Sequence, residues 1–286
     1  MSPLYEVRAH PELDAPVLVV ALEGWIDAGL GATAALGCIT AQVEGTTVAV
    51  FDADHFLDHR ARRPTMHLEN GVNTGLTWPT IEIQAVSDLD GRDALLLVGV
   101  EPDHSWRAFA DAVTTLALDL GARLVTGLGA YPAPVPHTRA VSVVSTATSA
   151  DLARLVGFVP GRIEVPAGAL AAIERQCADH GVPAVGLWAQ VPHYASAMPY
   201  PGAAVALIET LRRVTDLRFD ATALEEEARA TRTRLDELVQ GSSEHIELIQ
   251  QLERQVDAVE RGEMGQVSGD ELAAELERFL RDQGGS

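Results

Sequence analysis

Five short runs of consecutive apolar residues, separated by segments with helical spacing, constrain the fold of this chain more than any other feature. Runs without polar alternation are typical of strands buried on both faces of a largely parallel sheet. The runs are "APVLVVAL" (15–22), "TTVAVF" (46–51), "DALLLVGV" (93–100), "ARLVTGLGA" (122–130) and "PAVGLWAQV" (183–191). Residues 67–78 further predict a hairpin, and residues 80–86 another strand. The pattern predicts an α/β fold whose mixed, largely parallel sheet is flanked by helices.

The intervening segments predict the helices of this fold. All four carry apolar residues at helical spacing, and the last three are followed by a glycine that can end a helix: Gly121, Gly157 and Gly181. The predicted helices cover residues 30–43, 105–120, 149–156 and 167–180.

A shift in composition near residue 219 indicates a second unit. Residues 220–286 contain 17 acidic residues and 7 arginines. Leucines at heptad-like spacing, such as Leu224 and Leu235, predict two helices separated by "QGSS" (240–243), and "SGDE" (268–271) predicts the start of a third. We therefore expect an α/β domain at residues 1–218 and an acidic helical module at residues 219–286, built as an α-helical hairpin.

Charge and composition exclude several classes of function. The formal net charge of −20 among 286 residues opposes binding to nucleic acid or to anionic membranes. Every basic residue is arginine, so a Walker A loop, a protein-kinase site and Schiff-base chemistry are excluded, since each needs a lysine. Cys38 and Cys177 form no CxxC pair, and the N-terminal residues lack an apolar signal-peptide core. We expect a cytoplasmic protein that neither spans nor binds a membrane.

The stretch "VALEGWIDAGLGATAAL" (20–36) is a strand, a turn and a helix start, which could hold a phosphate. Its glycines do not match a dinucleotide or P-loop fingerprint. Asp27 is placed to cap the helix, and its carboxylate would disfavour a phosphate. We interpret Gly24, Asp27 and Gly29 as an architectural turn.

Two loops of the form Val-Pro-His follow predicted strands, at the sheet edge where open α/β folds bind ligands. The first presents His137, Thr138 and Arg139, and the second presents His193 and Tyr194. One hypothesis is a shared ligand pocket, with Arg139 binding an anion and lowering the pKa of a neighbouring histidine. The alternative is that both histidines only hold the loop backbones by hydrogen bonds.

Two further stretches carry titratable side chains. Glu101 ends a strand and could act as a general base, cap a helix or pair with an arginine. The segment "DADHFLDHRARRP" (52–64) contains a weak HxxxH pattern without a placed third ligand. Its Arg60, Arg62 and Arg63 are interpreted as forming an ion-pair network beside Asp58. The sequence thus predicts neither a metal nor a cofactor, and no complete catalytic constellation is present.

Five of these stretches, in order and spacing, resemble the bacterial, actinobacterial-type branch of the proteasome assembly chaperone family, in its second-chaperone-like group. They are "LEGWIDAG", "DHRARRPTM", "GVEPDHSWRAF", "VPHTRAV" and "GLWAQVPHYASAMPYPGAA", and the resemblance covers roughly residues 4–215. It implies a fold similar in outline to nucleoside phosphorylases, homo-oligomers with a trimer as the expected state, and a proteasome-related protein partner.

The resemblance also bears on activity. Eukaryotic and archaeal relatives in this family guide the assembly of proteasome α-subunits and are not known as enzymes. Some dock through a C-terminal tail with the pattern hydrophobic–Tyr–any residue, whereas this sequence ends in "RDQGGS". Two hypotheses follow: a non-catalytic interaction or assembly protein, which we favour, and a small-molecule binder or enzyme for a nucleoside- or anion-type ligand.

Overall fold

A computed structural model describes residues 3–24 and 26–261 of the chain. Its strands are β1 (Tyr5–Val7), β2 (Val17–Glu23), β3 (Thr46–Phe51), β4 (Thr65–Glu69), β5 (Val72–Thr77), β6 (Ile81–Ser87), β7 (Asp93–Val100), β8 (Leu124–Ala133), β9 (Val143–Ala147) and β10 (Ala184–Pro192). Its helices are α1 (Gly31–Thr40), α2 (Ala53–Phe56), α3 (Trp106–Asp119), α4 (Ala150–Val156), α5 (Ala169–Asp179), α6 (Pro201–Thr215), α7 (Thr222–Gln240) and α8 (Ser243–Glu260). The helix predicted to start near residue 268 lies outside the described residues.

The main sheet has eight strands in the order β1-β3-β6-β7-β2-β8-β10-β9. Its four central strands, β7, β2, β8 and β10, run parallel to one another. The outer strands β6, β3 and β1 on one side, and β9 on the other, pair antiparallel. The predicted α/β fold with a mixed sheet is confirmed. The four parallel strands end at the same edge of the sheet, which places the loops that follow them close together.

Alternate residues of each central strand face two different helical layers, which explains the uninterrupted apolar runs. In β2, Val17 and Val19 pack toward α1 and α6, whereas Leu18 and Val20 pack toward α3 and α5. Burial on both faces leaves no position where a polar side chain would reach water. The result is a three-layer sandwich with helices on both faces of the sheet.

Helix α7 extends the layer formed by α1 and α6. Its Leu224 and Leu235 are buried in the same apolar cluster as Leu207 of α6. Helix α8 folds back on α7 and buries Ile249 and Leu252. The predicted α-helical hairpin therefore packs against the α/β layers, and its independence as a domain stays a prediction.

Strand β9 and helix α6 were not predicted from the sequence. Strand β9 is a short edge strand of mixed composition, "VVSTA", that continues the polar loop after β8. Helix α6 begins at Pro201, where a proline costs nothing because the first helical N–H has no partner within the helix. The preceding segment, residues 192–201, is rich in proline and therefore indicated a loop instead of the start of a helix.

Strands β4 and β5 form a separate two-stranded sheet. Met66 lies opposite Leu76 across this hairpin, and the register shifts by one residue after His67. Every residue of β4 is exposed, as is every residue of β5 except Gly75. The predicted hairpin therefore forms, but it lies outside the main core.

Candidate functional site

The turn after β2 is held by backbone contacts and by one carboxylate. Asp27 accepts hydrogen bonds from the backbone N–H groups of Ala32 at 2.7 Å and Thr33 at 2.9 Å, which is the geometry of a capped helix start. Gly29 adopts a φ of +63°, and a Cβ there would lie 2.6 Å from Cβ of Tyr200. The carboxylate thus occupies the position at the start of α1 where a phosphate would bind.

Glu101 follows β7 and is buried between two other loops. One of its carboxylate oxygens accepts the backbone N–H of Ala169 at 2.5 Å, at the start of α5. The other would lie 3.1 Å from a Cβ placed on Gly24. The Glu101 carboxylate thus accepts a hydrogen bond at the N-terminus of α5. This geometry is that of a helix cap, one of the roles that the sequence left open for Glu101.

The two Val-Pro-His loops do meet, through His137 and Tyr194. The backbone N–H of His137 donates to the Tyr194 hydroxyl oxygen at 2.7 Å, and the hydroxyl lies 2.8 Å from Nδ1 of His137. Nε2 of His137 lies 3.1 Å from a carboxylate oxygen of Asp236 on α7. Because a carboxylate only accepts, the neutral ring carries its proton on Nε2, and Nδ1 accepts from Tyr194. Every polar atom of this imidazole is engaged.

Burial sets the titration of His137 more than any neighbouring charge does. The residue is 3% exposed. Burial lowers the pKa of His137 below its ordinary value of 6.5, and the hydrogen bond with Asp236 partly offsets this effect. Among the arginines, Arg232 lowers this pKa as a smaller cause. From the sequence we predicted the direction of this pKa shift, but we attributed the shift to Arg139, whereas its main cause is burial.

Arg139 and Thr138 are bound by carboxylates of α8. The Nε and Nη2 atoms of Arg139 each donate to Asp257 at 2.8 Å, and Nη1 donates to Glu253 at 3.0 Å. The Thr138 hydroxyl donates to the same Glu253 oxygen at 2.6 Å. The hydrogen bonds raise the pKa of Arg139 and lower the pKa of Asp257. We call this contact of residues 137–139 with Asp236, Glu253 and Asp257 the loop–helix seam.

His193 does not join this hydrogen-bonded set. Its ring lies 5.3 Å from that of Tyr194, and its Nδ1 atom is buried without a hydrogen-bond partner among the described residues. A cleft of about 340 Å³ lies beside the seam, between α6 and α7. His137 and Arg139 line it, whereas Thr138, His193, Tyr194 and Glu101 are not among its lining residues. The structure therefore does not gather the predicted set into one pocket.

The segment before β4 differs in part from its predicted ion-pair network, because Arg62 does pair, but with Asp103 and not with Asp58. Asp58 accepts the backbone N–H of Arg60 at 2.9 Å, and the pair formed here is Arg62 with Asp103 at 3.2 Å. Within residues 3–24 and 26–261, Arg60 and Arg63 form no ion pair. The reason is local, since a carboxylate two residues before a backbone N–H closes a turn instead of reaching a side chain.

Histidines of this segment do not form a metal site. His59 pairs with Asp54 at 2.8 Å and stacks edge-on against Trp78 at 4.8 Å, while His55 packs against Phe56. In the part of the chain that the structure describes, no three His, Cys, Asp or Glu side chains converge in a way that could hold a metal ion. Nor does any helix there have the length and apolar character to cross a membrane.

The exposed hairpin is the surface that sequence reasoning missed. Its apolar residues are between 44% and 64% exposed: Met66, Leu68, Val72, Leu76 and Trp78. The register places Met66, Leu68 and Leu76 on one face, and Val72, opposite Glu69, on the other. An apolar group of this kind on a projecting element marks a contact surface. The signal in the sequence was the apolar alternation, which equally describes a strand with one face on the core.

Comparison with known proteins places the chain in a family. The model of the PAC2 family matches residues 21–239, which include α7. No curated protein matches the sequence.

Three solved structures are similar over most of their length. A Mycobacterium tuberculosis protein of unknown function is 36% identical over 99% of this chain and 97% of its own, with a TM-score of 0.83. A proteasome-assembly chaperone homologue from the same organism is 34% identical over 82% of this chain and 99% of its own, with a TM-score of 0.75. A PAC2 family protein from Streptomyces avermitilis is 37% identical over 82% of this chain and 99% of its own, with a TM-score of 0.72. The family match and these identities agree with the resemblance seen in the sequence, and the chain belongs to the PAC2 family.

Proposed function

We propose that this chain is a non-catalytic interaction protein that acts as a homo-oligomer, a trimer by the family resemblance, and assists the assembly of a proteasome-related partner in the cytoplasm. One relative, 34% identical, is a proteasome-assembly chaperone homologue, which supports this class of function. The observation that carries the proposal is the β4–β5 hairpin. It presents five large apolar side chains to solvent on an element that adds nothing to the main core.

The state of the loop–helix seam supports an interaction role over a ligand-binding role. The groups that we expected to bind a ligand are engaged by the chain's own side chains: His137 by Tyr194 and Asp236, and Arg139 by Glu253 and Asp257. An anionic ligand would have to displace two carboxylates that already supply good geometry and charge. The geometry therefore favours a protein whose function lies in its surfaces.

Reconstitution with purified proteasome subunits of an actinobacterium would test the proposal. We expect the protein to bind α-subunits and to change the rate at which core particles form, as followed on native gels. A variant carrying Met66→Ser and Leu76→Ser, the cross-strand pair, should fold normally and lose the effect. The matched control carries Leu155→Ser and Phe158→Ser, which are exposed apolar residues elsewhere. A folded wild-type protein that neither binds a subunit nor alters assembly would contradict the assembly role.

Self-association has its own test. Light scattering at micromolar concentration should give a mass that is a multiple of the 30.5 kDa chain. A monomeric mass would contradict the proposed oligomer.

A further inference from the structure

The hairpin and the loop before it form a surface that is both apolar and basic. We call it the hairpin patch: Met66, Leu68 and Leu76 on one face of the hairpin and Trp78 at its base, together with Arg60 and Arg63. The edge-on contact of His59 with Trp78 holds the loop against the base of the hairpin. Both arginines are exposed, and neither forms an ion pair with another described residue. Residues 59–78 contain three arginines, one of which, Arg62, pairs with Asp103, and a single acidic residue, Glu69, in a chain whose net charge is −20. The other two arginines therefore give the hairpin patch positive charge on an acidic protein.

The turn between α7 and α8 forms a second apolar surface, of the opposite charge. We call it the tip patch. Leu238 is 66% exposed and Ile246 is 37% exposed, at the adjoining ends of the two helices. The exposed acidic residues around them are Glu237, Glu244 and Glu247, and residues 236–250 contain no arginine. In the described part of the chain these three carboxylates form no ion pair. The tip patch therefore combines exposed aliphatic side chains with unpaired negative charge.

We infer that the two patches are the two sides of one contact, in which the hairpin patch of one copy docks on the tip patch of the next. This inference rests on the self-association proposed above and names the surfaces that form it. Both patches are exposed within a single chain, so neither covers the other there. Apolar residues on each side can bury one another, and Arg60 and Arg63 then meet the carboxylates at the tip. Two different patches in contact make a head-to-tail interface, which can close into a ring.

Charge also argues against the two symmetric alternatives. A contact between two hairpin patches would bring four arginines together, and a contact between two tip patches would bring six carboxylates together. Like charges placed against each other across an interface disfavour association. Pairing of unlike patches is the arrangement that satisfies both surfaces.

Charge reversal tests the pairing. One variant carries Arg60→Glu and Arg63→Glu, a second carries Glu244→Arg and Glu247→Arg, and a third carries all four changes. Each double variant should weaken self-association by about a hundredfold or more, because each places like charges face to face. The fourfold variant should recover association to within about tenfold of the wild type, because it restores opposite charges with their positions exchanged. The control carries Arg212→Glu and Arg213→Glu, which are exposed on α6 and should leave association unchanged.

Sedimentation velocity across a concentration series is the measurement, with circular dichroism to verify that every variant is folded. Wild-type oligomers that are weakened by the hairpin changes but not by the tip changes would overturn the pairing, since another surface would then receive the hairpin. The pairing would also be overturned if neither double variant weakened self-association. The same holds if the fourfold variant associated as weakly as the double variants. A monomeric wild type would instead contradict the proposed self-association itself, so the two failures are distinguishable.

Discussion

The loop–helix seam and the hairpin patch differ in whether the chain supplies their partners. At the seam, residues 137–139 receive a hydroxyl from Tyr194 and carboxylates from α7 and α8. At the hairpin patch, four large apolar side chains and two arginines are exposed. Polar groups that are satisfied within the chain favour a structural role, whereas exposed apolar groups beside unpaired charge favour contact with another molecule. A histidine, a threonine and an arginine next to one another in a loop therefore do not by themselves identify a functional surface.

The largest effect is expected when the apolar part of the hairpin patch is removed. Replacing Met66, Leu68 and Leu76 by serine should weaken self-association by about a hundredfold or more, since burying one such side chain contributes about 1.5–3 kcal/mol. The free energy of unfolding of the isolated chain should hardly change, because all three side chains are exposed. Analytical ultracentrifugation and urea unfolding would separate the two effects. If the triple variant still associates like the wild type, the exposed apolar residues of the hairpin are not the contact surface.

Removal of the helices that complete the seam should have the next largest effect. A chain ending after Asp220 lacks Leu224 and Leu235, which α7 contributes to the core. We expect a soluble α/β domain with cooperative unfolding and a Tm lower by roughly 5–15 °C, from the loss of about two buried leucines. Differential scanning calorimetry would measure it. An insoluble or molten product would show that the helices are an integral part of the α/β domain and that the boundary at residue 219 is wrong.

Two leucines on α7 allow a buried and an exposed apolar side chain to be compared within one helix. Leu235 is 5% exposed and faces the core, whereas Leu238, one turn later, is 66% exposed at the tip patch. Leu235→Ala should lower the free energy of unfolding by about 2–4 kcal/mol, because it leaves a cavity under the helix. Leu238→Ala should change it by less than about 0.5 kcal/mol, as is usual for an exposed side chain. Equal effects in urea unfolding of the monomeric chain would mean that another part of the same chain covers the tip patch.

Much of the fold could be predicted from local pattern, and the hairpin patch and seam show where that reasoning stops. Apolar runs such as Val17–Glu23 identified the strands, because burial on both faces leaves a pattern in consecutive residues. Asp27 could be assigned as a cap, since its partners lie five and six residues away. The carboxylates that bind Arg139 lie 114 and 118 residues away, and nothing near Arg139 in the sequence indicates them. Periodicity also cannot tell an exposed apolar strand from a half-buried one, so the hairpin was predicted but its exposure was not.

The ion pairs of the seam should matter less for stability than the apolar contacts beneath them. Arg139→Gln removes the charge that binds Asp257 and Glu253 while keeping a polar side chain of similar length. We expect faster amide hydrogen exchange in α8 with little change in the strands of the main sheet, since partly exposed ion pairs contribute less than buried leucines. Hydrogen exchange followed by mass spectrometry would resolve the two regions. As a control, Arg154→Gln removes an exposed pair with Asp151 and should leave α8 unaffected.

The smallest effect is a pH dependence that belongs to the seam and not to the hairpin. Burial holds the pKa of His137 below 6.5 in the folded chain, while the nearby Asp236 and Glu253 raise it and Arg232 lowers it. Between the folded pKa and 6.5 the unfolded chain binds more protons, so the contribution of His137 to stability is complete above pH 6.5 and declines as the pH falls below that value. His137→Gln should therefore reduce the loss of Tm between pH 7.5 and pH 5.5. Comparing variant with wild type cancels other groups that titrate, such as Glu174, whose burial raises its pKa above 4.5. The control His10→Gln alters an exposed histidine and should keep the wild-type slope. Parallel slopes for the wild type and His137→Gln would mean that burial does not hold the imidazole neutral at the seam, and a larger loss of Tm in the variant would mean that Asp236 binds the imidazolium as an ion pair.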